Sequence, residues 1–259
     1  MNQLWSPSAY LLFKNDRSRP AIDLLSQINI EVAGSIIDMG CGPGNITHLI
    51  KEKWPNRNII GIDISSEMLE EAKKRYPKDN INWQKSDISS WESSEKMALI
   101  FSNAALHWVP KQKKLLLNFL KNLKNGGTLG IQIPITKELH FEKILNKLTS
   151  LPQWSNKFAK VKTYKDPITI NEIYTVLSPH CDLVNIWTTN YFHILHGENP
   201  VTEWIKATTL SPYLYVLTNE DKKEFLNEYK SLEKKIYKKT ENQKTIFKMK
   251  RLFVVAKKN

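Results

Sequence analysis

The sequence predicts an α/β chain built on a doubly wound, mostly parallel sheet, and three observations carry that prediction. Ser35-Ile36-Ile37-Asp38-Met39-Gly40-Cys41-Gly42-Pro43-Gly44-Asn45 is an apolar run that ends in an acid, passes through three alternating glycines and continues as an amphipathic helical pattern. About twenty residues on, Asn58-Ile59-Ile60-Gly61-Ile62 is a second apolar run closed by Asp63, where a doubly wound fold places the acid that holds a ribose diol. A third strand, residues 81–87, closes in Ser86-Asp87 ahead of Ile88. Strand, tight turn and helix, repeated, is βαβ alternation.

Taken in order, residues 5–16 hold Trp5, Pro7, Tyr10, Leu11 and Phe13, too aromatic for a free tail, and are expected to pack as a flap. Arg17-Ser18-Arg19-Pro20 opens a helix with Pro20 in its first turn, where no hydrogen bond is lost, and Ile22, Leu24, Leu25 and Ile28 supply its buried face. Glycines at 40, 42 and 44 let the backbone turn sharply and come close to a ligand. The helix behind them buries Ile46, Leu49 and Ile50 and stops before Pro55. Ser65 or Ser66 caps the next helix, which buries Met68, Leu69 and Ala72. Met97 to Ser102 is continuously apolar, as a central parallel strand is, and Asn103-Ala104-Ala105-Leu106-His107-Trp108 follows it. A leucine-rich helix from Gln112 to Leu123 ends at Asn125-Gly126-Gly127, a helix-stop signal, before a fifth strand from Thr128 to Ile133. Residues 137–180 and 199–243 read mainly as helix, Asp182 to Ile194 as a long strand and Arg251 to Ala256 as the last. The expected organisation is a flap and helix over 1–34, a ligand-binding core over 35–136, and a helical lid with sheet-completing strands over 137–259, all one domain.

A chain of 259 residues, 41% hydrophobic and 10% aromatic, buries a sizeable core. No apolar run approaches the roughly 20 residues that span a bilayer, and no basic flank precedes an apolar core at the N-terminus, so no membrane partner and a cytoplasmic location are expected. Cys41 and Cys181 stand far apart without metal-ligand spacing, which argues against a disulfide framework and against a metal site. The net charge of +12 is mostly lysine. It is thickest from Lys222 to Lys258, on helical spacing interrupted by Glu224, Glu228 and Glu233, the pattern of a solvated face rather than a nucleic-acid surface. Arginine occurs only at Arg17, Arg19, Arg57, Arg75 and Arg251.

Spacing then selects a cofactor class. A dinucleotide fingerprint places its third glycine three positions after the second, and that position here is Asn45, with Gly44 arriving early, which argues against NAD. The order Asp-x-Gly-x-Gly-x-Gly, a strand ending in Asp63 and a third ending in Asp87-Ile88 resembles the class I S-adenosylmethionine-dependent methyltransferases, whose fold is a Rossmann-like seven-stranded sheet. The further pattern of Trp5, Pro7, Tyr10, Phe13, Arg17, Arg19 and Pro20, with Asn103-Ala104, Leu106, Trp108, Tyr191, His193, Trp204, Arg251-Leu252-Phe253 and Val255-Ala256, is similar to the trans-aconitate 2-methyltransferases over nearly the whole chain. Where that family often carries two arginines this chain has Thr188 and Ser211, and Thr136 stands near a family asparagine.

The resemblance implies S-adenosyl-L-methionine as cofactor, held by Asp38, Gly40, Cys41, Gly42, Gly44, Asp63, Ile64, Met68, Asp87, Ile88, Asn103 and Ala104. It implies a small polycarboxylate acceptor, met by Tyr10, Arg17, Arg19, His107, Trp108, Tyr191, His193 and Arg251, and a methyl ester as product. Alternatives are a malonyl thioester on a carrier protein or an RNA acceptor; Asn103-Ala104-Ala105-Leu106 lacks the two prolines common in base-amino methylation. A carboxylate is ionised at pH 7 without help, so no catalytic base is expected and catalysis rests on positioning and exclusion of water. A monomer is expected.

Overall fold

The computed structural model describes residues 14–161 and 168–259. Trp5, Pro7, Tyr10 and Phe13, and with them the expected flap, lie outside the described residues. The strands form one seven-stranded sheet in the order β3-β2-β1-β4-β5-β7-β6, confirming the doubly wound expectation. The chain divides into two compact units: a sheet unit of residues 14–134, 168–189 and 251–259, and a helical unit of residues 135–161 and 190–250.

In the sheet unit, helix α1 (Lys14–Ser26) already includes Lys14, a turn before the expected opening, which places Pro20 inside it. An interior proline forgoes a backbone hydrogen bond, so burial must hold the helix. Ala21, Leu24 and Leu25, at i, i+3 and i+4, are buried, as is Ile28 just past the helix end, whereas Ile22 faces water. Strand β1 (Ile36–Met39) pairs in parallel with β2 (Ile59–Asp63) and β4 (Met97–Asn103), and β2 pairs in parallel with β3 (Ile81–Lys85). Helix α2 (Asn45–Lys53) buries Ile46 and Ile50 but leaves Leu49 half-buried. Helix α3 (Ser66–Arg75) is capped by Ser65, whose hydroxyl accepts the Met68 N–H at 3.2 Å, and buries Met68, Leu69 and Ala72 as read.

Helix α4 (Gln112–Asn122) passes directly into β5 (Leu123–Ile135). Asn125-Gly126-Gly127 therefore does not end the helix: it lies within the strand, where Gly126 has φ 73° and the pairing with β4 shifts register between Met97–Leu123 and Leu99–Thr128. The local signal of a left-handed glycine is the same for a helix stop and a bulge. Pairing with β4 decides it. Helix α7 (Ile170–Leu177) completes this unit with the first part of β6 (Cys181–Leu195) and the last part of β7 (Thr245–Lys258).

Helices α5 (His140–Thr149) and α6 (Pro152–Phe158) join α8 (Pro200–Lys206), α9 (Ser211–Tyr215) and α10 (Asn219–Ile236) in the helical unit. Its core is aromatic, built on Phe141, Trp154, Phe225, Tyr229 and Phe247. The polar tips find partners: Tyr229 Oη donates to the Phe141 carbonyl at 2.7 Å and Trp154 Nε1 to Glu228 at 2.9 Å. Glu233, also buried, accepts the N–H groups of Val201 at 3.0 Å and Thr202 at 2.8 Å, together with the Thr202 hydroxyl. It so satisfies two donors in the first turn of α8 that would otherwise be orphaned. None of the described helices is long and apolar enough to cross a membrane.

Replacing Glu233 by Ala should strand those donors inside the helical unit and lower the unfolding free energy by about 2–4 kcal/mol, whereas Gln, keeping one acceptor, should cost less. Urea denaturation of the two variants provides the comparison, and equal losses would show that the bonds contribute little.

Candidate functional site

The glycine turn is held by backbone donors and one acid. Gly40, Gly42 and Gly44 have φ of 78°, 54° and 80°, all in the left-handed region that disfavours a side chain. The N–H groups of Gly40 and Cys41 both donate to the Ile62 carbonyl at 2.9 Å, tying the turn to β2. Asp63, at the end of β2, accepts the Gly42 N–H on Oδ2 and the Ser65 N–H on Oδ1, each at 2.9 Å. One carboxylate thus fixes both the turn after β1 and the start of α3. Burial pushes its pKa up against the pull of the Ser65, Gly42 and Ile64 N–H groups.

The three glycines have different physical reasons. A Cβ on Gly40 would lie 2.4 Å from that of Ala105, and one on Gly44 would lie 2.6 Å from the Trp83 ring, so these two admit neighbouring side chains. Gly42 alone faces space with nothing within 4 Å. All three hold the positive φ that the turn requires, and of the three only Gly42 leaves its Cβ position open. Asp38, beneath the turn, is buried and accepts the Thr47 hydroxyl at 2.7 Å. Burial raises its carboxyl to about 7, with Thr47 opposing and Asp63 adding. The Cys41 thiol is likewise buried and pushed well above its ordinary value by burial.

Toward β3, Ile64 is 59% exposed beside Asp63, while Met68 is buried. Asp87 is exposed and caps a short 3-10 turn, Ile88–Ser90, by accepting the Ser89 N–H at 2.8 Å. Ile88 is buried under the turn, against Gly40. An open glycine, a carboxylate with lone pairs to spare and an exposed apolar side chain are the partners that the cofactor's polar chain, ribose and adenine require, so the residues fit S-adenosylmethionine.

Past β4 the chain turns through Ala104, an alanine at φ 52° whose N–H donates to the Gln132 carbonyl at 2.9 Å. Among the residues there, Asn103 Oδ1, His107 Nδ1 and Gln132 Nε2 are buried without a hydrogen-bond partner. His107 packs on Trp108 with ring centroids 4.9 Å apart. Burial, with the positive Arg251 guanidinium, holds its pKa down to about 3, so it is neutral at pH 7. Arg251 itself is buried on β7. Arg17 is half-buried and Arg19 exposed on α1; residues two apart on a helix do not share a face.

The sheet unit therefore holds together the cofactor candidates and His107, Trp108 and Arg251. Tyr191 and His193 belong to the helical unit, where both are buried and the His193 ring lies 4.5 Å from Trp204 and 6.4 Å from Tyr191. Tyr10 lies outside the described residues. Sequence reading missed Thr47, Trp83, Ala105 and Gln132. Gln132 stood out only as a polar residue between Ile131 and Ile133 near the end of β5, a signal that does not by itself assign it to a site.

Two outcomes follow from this geometry. Gly40→Ala should cost stability, about 2–4 kcal/mol, because its methyl meets Ala105. Gly42→Ala should cost only the left-handed strain of about 1–2 kcal/mol, yet weaken S-adenosylhomocysteine binding by about tenfold or more in calorimetry, since its methyl enters open space above the turn. Asp38 gives a pH signature. The folded protein keeps a proton on it between its ordinary 3.8 and about 7, which the unfolded chain has already released. The resulting stabilisation is complete below the ordinary value and is lost as pH rises through about 7. Asp38→Asn should flatten that decline in urea unfolding compared at about pH 5 and about pH 8.

Comparison with known proteins agrees with the geometry. A methyltransferase-domain family model matches residues 30–208. A trans-aconitate 2-methyltransferase of Sinorhizobium fredii is 34% identical over 253 residues, 97% of this chain and 98% of the relative, and that of an Azoarcus species is 31% identical over 252 residues with the same coverages. Among solved structures, phosphoethanolamine N-methyltransferase 2 of Haemonchus contortus, in complex with S-adenosyl-L-methionine, superposes with a TM-score of 0.59 at 16% identity, covering 97% of this chain and 56% of that one. The YcgJ protein of Bacillus subtilis gives 0.57 at 14%, covering 95% and 99%. These structural likenesses speak to the fold, and the sequence relatives to the family. Related at this level over nearly its whole length, the chain belongs to the trans-aconitate 2-methyltransferase family.

Proposed function

We propose that the chain transfers the methyl group of S-adenosylmethionine to a carboxylate of trans-aconitate, forming a methyl ester. The names of its full-length relatives support the acceptor. One observation of the chain itself supports the acceptor class: a buried guanidinium, Arg251, whose charge acts on His107, a histidine kept neutral after β4. A guanidinium attracts and orients a carboxylate. A neutral imidazole with its pKa near 3 is a poor base, and this chemistry needs none. The bound cofactor supplies an activated methyl: its S–CH3 bond breaks with the electron pair remaining on sulfur as the C–O bond forms, the sulfonium and carboxylate charges cancel, and no proton moves.

The chain's own residues then have positioning roles. Gly42 admits the cofactor's polar chain, Asp63 accepts from the ribose hydroxyls, and Ile64 covers an apolar ring face with Asp87 at its edge. Arg251 holds a carboxylate of the acceptor, Arg17 and Arg19 on α1 are further candidates for that grip, and His107 with Trp108 walls the site. Two of the five lysines of α10 are already engaged by acids, Lys234 with Glu198 at 2.6 Å and Lys230 with Glu203 at 3.4 Å, which weakens the case for a polyanionic partner on that helix.

Labelled S-adenosylmethionine offered with trans-aconitate, cis-aconitate, citrate, a malonyl thioester and bulk RNA tests the reading. Label should appear on trans-aconitate and be released as methanol by mild base. Base-stable label, or label on the thioester or RNA instead, would overturn it.

A further inference from the structure

Gln132 is 1% exposed, yet its carboxamide nitrogen has no hydrogen-bond partner. In register with it on the neighbouring strand stands Asn103, whose side-chain oxygen is also buried and unpartnered. Residues paired across parallel strands project to the same sheet face. Two complementary groups that do not bond to each other, on one face at the strand ends, are a site awaiting ligand atoms, because buried polar groups left without partners are costly. The backbone there is also committed: Ala104, next to Asn103, is held at φ 52°, and its N–H is bonded to the Gln132 carbonyl. Strain of this kind persists where surrounding structure enforces it, and it gathers at functional sites.

Strand order tells which ligand each group faces. The glycine turn follows β1, Asp63 closes β2 and Asp87 follows β3, so the cofactor contacts lie along β3-β2-β1. On the other side of β1 come β4, β5 and β7, which carry Asn103, Gln132 and Arg251 in that order. Gln132 is therefore one strand farther from the glycine turn than Asn103, on the side of Arg251.

We propose that Gln132 is an acceptor-binding residue, its side-chain N–H donating to the carboxylate that receives the methyl group, while Arg251 takes a second carboxylate of the same molecule. The proposal rests on the polycarboxylate reading above and assigns its two ends. The division has a physical reason. The attacking carboxylate loses its negative charge in the transition state, so a cation bound to it stabilises the ground state more and slows the reaction. An uncharged amide donor orients the same oxygen atoms with a far smaller penalty, and His107, neutral at the adjoining turn, adds no charge to that end. The full charge of Arg251 is best used on a carboxylate that keeps its own.

Gln132→Met keeps the length of the side chain without the donor, and Gln132→Glu keeps its shape but sets an anion before the acceptor. In steady-state assays with trans-aconitate, Met should lower kcat/KM by about 10- to 100-fold, and Glu should lower it further, while calorimetric affinity for S-adenosylhomocysteine stays within about twofold of wild type. Turnover within about threefold of wild type in Gln132→Met would overturn the proposal. Parallel loss of S-adenosylhomocysteine affinity in both variants would also overturn it, showing that Gln132 serves the cofactor or the fold. Equal losses in the two variants would remove the carboxylate from its vicinity. A wild-type enzyme that leaves trans-aconitate unlabelled refutes instead the function on which the proposal stands, and the two failures are thereby distinguished.

Discussion

The Asp63 carboxylate is the joint on which the site depends. By accepting from Gly42 on one oxygen and from Ser65 on the other, it locks the turn after β1 to the entry of α3. The same turn hangs by Gly40 and Cys41 from the carbonyl that precedes Asp63. A ligand lying on the turn meets N–H groups and a carboxylate whose positions were set during folding, so little ordering is left to binding. The arrangement also makes Asp63 a poor residue for separating structure from function, because removing it loosens the frame as well as the contact.

Charge is distributed unevenly around that joint. The acids Asp38 and Asp63 sit at the β1-β2 side, and Arg251 at the β7 side, with neutral polar groups between them. A positively charged donor and a negatively charged acceptor are each drawn to the side of opposite sign. On the proposed assignment they would meet over residues that carry no net charge, where neutralisation of the two is least opposed.

Much of this was legible because local chemistry and global fold agree. Apolar runs ending in Asp38 and Asp63, punctuated by glycine and followed by a third strand closing in Asp87, specify parallel strands and a ligand turn with few alternatives. Helix α3 was legible to the cap. Reading failed where one local signal serves two structures: Gly126 suits a helix stop or a bulge, and only pairing with β4 selects the bulge. Ile22 and Ala21 exchanged places because hydrophobicity favours the larger residue while the phase of the buried face favours the smaller. The glycines were read alike, although Gly40 and Gly44 answer to Ala105 and Trp83, partners distant in sequence that no spacing reveals. Gln132 escaped because a single polar residue in an apolar strand acquires meaning only beside its register partner Asn103.

The strand order β5-β7-β6 has a consequence for how the protein is made. Strand β7, which follows β6 in the chain, is its only sheet neighbour among the described residues and separates it from β5. Until β7 is synthesised, β6 lacks the strand it pairs with, and Arg251 is not yet present. A nascent chain thus carries the glycine turn early and Arg251 only after β6, with the long β6 edge left open to wrong pairing in the interval. Loss of residues 245–258 would leave the glycine turn encoded intact while removing the strand that joins β6 to β5.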